Sequence, residues 1–168
     1  EAEKYLFSCY SRLPSNASEN GNVGFFGADE AWLPEDLDER VVNKDAWSIA
    51  KGYQNINRPY HSAWNSDRSA NGYFIGLRLC NTFLENIQNE SIVRDLELDR
   101  RSRWIGEALF LKAYYHYLLL RMYGPIPLID KNIPVYASPE GVRVKRVPVD
   151  ECVDYIAKLL DQAYEKLP

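Results

Sequence analysis

RWIGEALFLKAYYHYLLLRMYGPIPLI, running from Arg103 to Ile129, is the stretch on which the fold turns. From Trp104 to Tyr123 apolar and aromatic residues fall on nearly every turn of a helix. Gly124, Pro125 and Pro127 then stop it, because glycine accepts the angles that end a helix and proline cannot continue one. Glu107, Lys112, His116 and Arg121 interrupt the apolar run without collecting on one side at about 100° per residue, so the helix is expected to be packed on several sides. The same charges argue against a membrane span, which needs about 20 residues nearly free of them. Gly106, Ala108 and Ala113 are small enough to let neighbouring helices close in. Trp104 is expected in the core, where truncation to alanine would cost about 3 to 5 kcal/mol through the cavity left behind.

Outward from this helix, Tyr73, Leu77, Cys80, Leu84 and Ile87 recur at alternating steps of four and three, which places them on one side of a second helix over about 70–89. Val153, Ile156, Ala157, Leu160, Ala163, Tyr164 and Leu167 do the same over about 149–167. Tyr5, Leu6, Cys9 and Leu13 make an amphipathic start over about 2–13, and the central helix covers about 98–123. Only short pieces such as Gly141 to Val147 alternate as a strand would. The reading is therefore all-α, one domain over residues 1–168. The last two helices are similar to a tetratricopeptide repeat, with Trp104 and Gly106-Glu107-Ala108 opening the first and Ala163 and Pro168 closing the second. An ordinary repeat has about 34 residues and a tight turn, whereas residues 124–148 intervene here and 14–68 interrupt the preceding pair. The expected architecture is a tetratricopeptide-like α-α superhelix with long loop insertions, and inserted loops are where function concentrates.

Particular residues carry a family resemblance. In the central helix they are Gly106-Glu107-Ala108, Phe110-Leu111, Lys112-Ala113, Tyr114-Tyr115, Leu119 with Arg121, and Tyr123-Gly124-Pro125-Ile126-Pro127-Leu128. Upstream is FIGLRLCNTFLENI, Phe74 to Ile87, and downstream VDYIAKLLDQAYEKLP, Val153 to Pro168. These three motifs, in this order, resemble the SusD/RagB family of bacterial surface lipoproteins. Lys112 departs from the family's usual arginine, and tyrosine replaces phenylalanine in the aromatic pair. The resemblance implies the N-terminal portion of an outer-membrane nutrient-binding lipoprotein. It would capture oligosaccharide, or peptide in RagB-like members, and hand it to a SusC-like TonB-dependent transporter. Membrane attachment would come only through an N-terminal lipid anchor absent from this chain.

Composition narrows the alternatives. With 46% hydrophobic residues over 168 positions the chain can bury a core. A net charge of −4 and a pI near 5.3 give no electrostatic reason to bind nucleic acid. Cys9, Cys80 and Cys152 are odd in number, far apart and free of CxxC or Cys/His spacing, so neither a disulfide framework nor a zinc site is indicated. Leu6-Phe7-Ser8-Cys9 looks like a lipoprotein cleavage box but lacks the apolar segment that must precede one. The opening Glu1-Ala2-Glu3-Lys4 is no secretory leader, so the leader is expected upstream.

The insertion over residues 14–68 holds three of the four tryptophans, Trp32, Trp47 and Trp64, with Phe25, Phe26, Tyr53 and Tyr60 among Asn, Gly and acidic residues. An aromatic face stacks on the apolar side of a sugar ring while polar neighbours meet its hydroxyls, so Trp32, Trp47, Trp64 and Phe25 are the candidate glycan-binding residues. Each could instead anchor the loop onto the helices, since tryptophan is mostly buried on average. In starch-binding members of the family a tryptophan shortly after a Thr/Ala-Asp-Glu string contacts the glycan, and Ala28-Asp29-Glu30-Ala31-Trp32 is similar.

Catalytic and metal chemistry find little support. His61 and His116 form no metal-ligand spacing, and His116 reads as a satisfied interior histidine. Asp29, Glu30, Glu35, Asp36, Asp38 and Glu39 lack the spacing of a calcium loop. Gly21, Gly24 and Gly27 lack the strand and helix that frame a phosphate loop. Glu107 is expected to pair with Arg78 or Arg103 to fix packing. The chain reads as a binding protein without cofactor or metal. Competing readings are a tetratricopeptide adaptor for protein partners and, more remotely, a polymer hydrolase, for which no carboxylate pair can be located.

Overall fold

The computed structural model describes residues 1–17, 22–29, 45–57, 59–64, 72–89, 91–93 and 96–168. Among them lie six helices and no strand: α1 (Ala2–Tyr10), α2 (Val23–Phe26), α3 (Asp45–Ala50), α4 (Tyr73–Ile87), α5 (Leu98–Tyr123) and α6 (Val149–Tyr164). Gly141 to Val147, expected as the best strand candidate, is turn and extended chain with Val142 and Val144 exposed. No neighbouring segment offers it a ladder among the described residues.

Local chemistry explains where the long helices stop. α1 ends at Tyr10, short of the expected residue 13. The Ser11 hydroxyl donates to the Ser8 carbonyl at 2.7 Å, and Pro14 disfavours helical geometry at Leu13. α4 begins behind Gly72, whose φ of +55° lies in the left-handed region that glycine tolerates. α5 ends on Gly124, φ +65°, whose N–H still reaches the Leu120 carbonyl at 2.9 Å. α6 stops at Tyr164, where both Lys166 and Leu167 turn their N–H groups onto the Ala163 carbonyl. Pro168 keeps Leu167 from continuing.

The chain divides into two compact units, Glu1–Arg12 with Tyr73–Pro168, and Leu13–Gly72. In the first, α5 is the spine: α4 and α6 pack along it, and α1 lies against α4 and α5. Leu6 and Cys9 of α1, Leu77, Cys80, Phe83 and Ile87 of α4, and Leu111, Tyr115, Leu118 and Leu119 of α5 are all buried. Ala113 lets α6 approach through Ile156 and Leu159. Each such aliphatic side chain contributes about 1.5 to 3 kcal/mol by leaving water. A Cβ on Gly106 would stand 3.0 Å from Leu167 Cγ, so this glycine allows the end of the chain to lie on α5. The uncovered stripe of α5 carries Arg103, Phe110, Tyr117 and Arg121. Packing on several sides is therefore the observed arrangement.

The insertion over residues 14–68, expected as a loop, has two short helices that touch among its described residues, α2 and α3. Their brevity hid them: four and six residues are too few to show a helical period.

Candidate functional site

The three motifs that stand apart in sequence meet on one segment, Ile126 to Asn132, which leaves α5 after Gly124 and runs back across the helices. From α4, Asn81 donates to the Ile129 carbonyl at 3.2 Å, and Thr82 accepts from Asn132 at 2.9 Å. From α5, Lys112 Nζ donates to the Asp130 carbonyl at 2.6 Å and lies 3.4 Å from its carboxylate. His116 Nε2 accepts the Ile129 N–H at 3.2 Å, while Nδ1 donates to the Lys112 carbonyl at 2.8 Å. From α6, the Tyr155 hydroxyl donates to Asp130 Oδ1 at 3.0 Å and the Cys152 thiol lies near the Ile126 carbonyl. The Val147 N–H closes onto the Ile126 carbonyl at 3.0 Å, so residues 127–146 form a closed excursion rather than a free loop.

Several titratable groups of this network are shifted from their ordinary values, yet its chemistry is that of a clasp. Burial pushes His116 down to about 4, so the ring is neutral, and both its nitrogens are engaged by backbone groups. Lys112 is lowered by burial, against which the Asp130 carboxylate works. Burial alone would raise Asp130; the Tyr155 hydroxyl and the Lys112 ammonium outweigh it and hold the carboxyl below its usual range. Tyr155 is pushed far up by burial and by the Asp130 charge, so it remains a donor. No nucleophile stands beside a base with room for a reacting atom between them.

Glu107 pairs with Arg103, Nε to Oε1 at 3.0 Å, and accepts the Tyr10 hydroxyl at 2.8 Å. Burial and this bond raise Tyr10 to about 12. The carboxylate thus ties α1 to α5. Trp104 is a correction: it is only partly buried, and it forms a wall of two open clefts. One, about 750 Å³, is bounded by α1, the start of α5 and the chain end at Pro168; the other, about 580 Å³, lies between α1, α4 and the side chains of Ile92, Val93 and Leu96.

The second unit holds the candidate sugar contacts. Asn22 shapes α2, its side-chain oxygen accepting the Phe25 N–H at 3.3 Å and its amide donating to the Asn16 carbonyl at 3.1 Å. Phe25 is exposed and meets Phe26 edge-on at 5.2 Å. Trp47 on α3 is half-buried, and Lys51 Nζ lies 3.4 Å from its ring centroid, so one face is already taken by a cation. Trp64 is half-buried. Gln54 braces the chain between them, accepting the Tyr60 N–H at 2.6 Å and donating to the His61 carbonyl at 3.3 Å. Trp32, and the acidic run beyond Asp29, lie outside the described residues. α2 and α3 bring Phe25 and Trp47 into touching helices.

His61 belongs with these residues, although its isolation in sequence gave no signal. Burial lowers its pKa while Asp45 works against the shift, and neither ring nitrogen meets a hydrogen-bonding partner among the described residues. An unmet buried polar group costs about 1 to 3 kcal/mol. Of the two histidines, His116 is satisfied on both sides and His61 is not.

Residues 19–168 match the SusD-like family described as "Starch-binding associating with outer membrane". A solved structure named BT4246 is 30% identical with a TM-score of 0.73; the alignment covers 99% of this chain and 26% of that one. A SusD-like protein, BF3747, from Bacteroides fragilis NCTC 9343 is 22% identical with a TM-score of 0.57, covering 99% of this chain and 29% of that one. A SusD-like carbohydrate binding protein, BF0978, from the same organism is 22% identical with a TM-score of 0.62, covering 99% and 31%. The last two likenesses concern the fold. The chain spans between a quarter and a third of the length of these structures. No curated protein matches it.

Proposed function

This chain belongs to the SusD-like family, and from that membership we propose that it is the N-terminal helical portion of an outer-membrane nutrient-binding protein that captures oligosaccharide and passes it to a SusC-like TonB-dependent transporter. The carrying observation is the family match over residues 19–168, joined to an all-α, tetratricopeptide-like unit whose signature residues fasten one segment instead of forming a reactive centre. Cys9 is buried within α1 and is not placed to carry a lipid. The activity is binding without bond cleavage.

The same reading assigns the glycan contacts to Leu13–Gly72. Phe25 offers an exposed ring, Trp64 a partly exposed one, and Trp47 at most the face opposite Lys51. Trp32 remains a candidate from its sequence context. A sugar ring stacks its C–H face on such rings, and neutral polar groups nearby meet its hydroxyls. The full-length protein should migrate more slowly in native gels containing starch or another polysaccharide, with Phe25→Ala, Trp64→Ala and Trp32→Ala each reducing the retardation. Retardation unchanged in all three single variants and in the triple variant would remove the inserted unit from the site. Binding of peptides but no polysaccharide would favour a RagB-like role.

A further inference from the structure

The edge of the α5–α6 pair that faces away from the clasp is apolar and uncovered. On α6, Val149, Val153, Leu160 and Tyr164 are exposed, Tyr164 by 84%. At about 100° per residue they share an arc of about 60°, beside the buried face that carries Ile156 and Ala163. On α5, Phe110 and Tyr117 are exposed and the Tyr114 ring lies between them, with centroids 6.2 and 6.1 Å away. The helices run antiparallel, Gly106 meeting Leu167 and Ile126 meeting Cys152. His116 and Tyr155, edge to face at 5.2 Å, mark the clasp side of the pair. On each helix the exposed stripe follows the interhelical face on the opposite side, so both stripes border one groove.

Charge divides the two margins of this groove. Asp150, Asp154, Asp161 and Glu165 form an exposed row along α6 over about the next 60° of arc, and none is ion-paired among the described residues. The α5 margin is basic instead: Arg103 and Arg121 are exposed, and the Arg121 guanidinium carbon lies 5.9 Å from the Tyr117 ring centroid.

We propose that this groove seats an amphipathic helix from the part of the same protein that lies outside residues 1–168. Its apolar stripe covers Val153, Leu160 and Phe110, its lysines or arginines face the acidic row of α6, and its carboxylates face Arg121. The steps of four and seven from Val149 to Val153, Leu160 and Tyr164 repeat with the period of helix packed on helix, which selects a helix over a strand or a sugar. The stripe is about 22 Å long, so about 15 residues of partner helix cover it. A helical repeat buries its faces only against its neighbours, and one that closes a stack carries a polar outer face. The outer face of α6 is apolar, so another helix continues the α5–α6 interface. The solved relatives extend well beyond the span that this chain matches, which gives the source of that helix. The inference rests on the reading of this chain as one portion of a longer binding protein.

Hydroxyl-radical footprinting of the wild-type full-length protein tests it, each residue being compared in the native and the urea-unfolded state. A seated helix should slow oxidation of Tyr164, Phe110 and Tyr117 by about tenfold or more. Asp154→Lys combined with Asp161→Lys should raise native Tyr164 oxidation severalfold, because the row then repels the basic flank of the helix; no rise would overturn the charge assignment. Tyr164 oxidised equally in native and unfolded protein would overturn the inference. So would protection that vanishes on dilution, which belongs to a second copy, or protection that appears only with the transporter present. Polysaccharide retardation reads the proposed function separately, so either can fail while the other stands.

Discussion

Gly76→Ala is the sharpest probe of how the helical unit is assembled. Gly76 is buried on α4, and a Cβ built there would stand 2.8 Å from Tyr115 Cε2, 2.9 Å from Cζ and 3.0 Å from Cδ2. Real methyl groups do not approach an aromatic ring so closely, so something must move. Tyr115 has little room to do so: it is fully buried, stacks on Tyr73 at 6.0 Å, and is held by its hydroxyl to the Cys9 carbonyl. Overpacking of this kind costs about 1 to 3 kcal/mol, and displacing the ring far enough to lose its hydrogen bond adds about 1 kcal/mol. Against this, alanine is better than glycine in a helix by about 0.5 to 1 kcal/mol. The steric terms win, leaving a net loss of about 1 to 3 kcal/mol, or roughly 2 to 12 °C in melting temperature for a domain of this size. Urea and thermal unfolding of Gly76→Ala beside wild type measure it. Tyr115→Leu should reduce the penalty of a second Gly76→Ala substitution, because the smaller side chain vacates the ring's edge. A single variant as stable as wild type would refute the close α4–α5 packing.

The remaining predictions concern the clasp, the helix stop and Trp104. The folded-state pKa of His116, about 4, lies below its ordinary 6.5. The unfolded chain therefore binds more protons, and stability is full above pH 6.5 and declines as pH falls toward 4, by about 3 kcal/mol in all. His116→Gln should flatten that window in unfolding curves taken between pH 4 and 7; an unchanged slope would assign the loss to other groups. Lys112→Met should expose amides of Ile129 to Asn132 to hydrogen exchange without comparably exposing the centre of α4; unchanged protection would show that the segment is held without the ammonium. Gly124 adopts φ +65° and ψ −131°, so Gly124→Ala should cost about 1 to 3 kcal/mol in chemical unfolding through backbone strain, and a neutral result would mean a different turn. Trp104→Ala should cost less than the 3 to 5 kcal/mol of a fully buried ring, about 1 to 2 kcal/mol, and a larger measured loss would show that the clefts it lines are closed in solution.

The helical frame was legible because its signal repeats. α5 carries seven turns of apolar pattern ended by glycine and proline, and its bounds follow from that pattern almost to the residue. The partners of its charged residues were not legible to the same degree. Glu107 could be matched to Arg103 because helical neighbours four apart meet, but its second partner, Tyr10, is 97 residues away. Lys112 and His116 answer to backbone groups of Ile129 and Asp130, and any residue type could supply those atoms. In the insertion, composition pointed to aromatic stacking, but only coordinates could show that Lys51 covers Trp47 while Phe25 stands open.

The contrast between the two histidines connects stability to function. In the helical unit the buried Lys112 and His116 turn their hydrogen bonds inward and stabilise one backbone segment, with the exposed Asp130 carboxylate beside the ammonium. A site whose donors and acceptors are already engaged has nothing left for a ligand. In Leu13–Gly72 the balance is reversed: Phe25 is exposed, and among the described residues His61 finds no partner for either nitrogen. Groups left in that condition are stabilised by whatever supplies the missing contacts, so ligand binding and the order of this unit should be coupled. Saturating oligosaccharide should therefore protect amides of α3 and residues 59–64 from hydrogen exchange while leaving α4 and α5 unchanged. Protection confined to the helical unit would move the binding site out of the insertion and into the clefts beside Trp104.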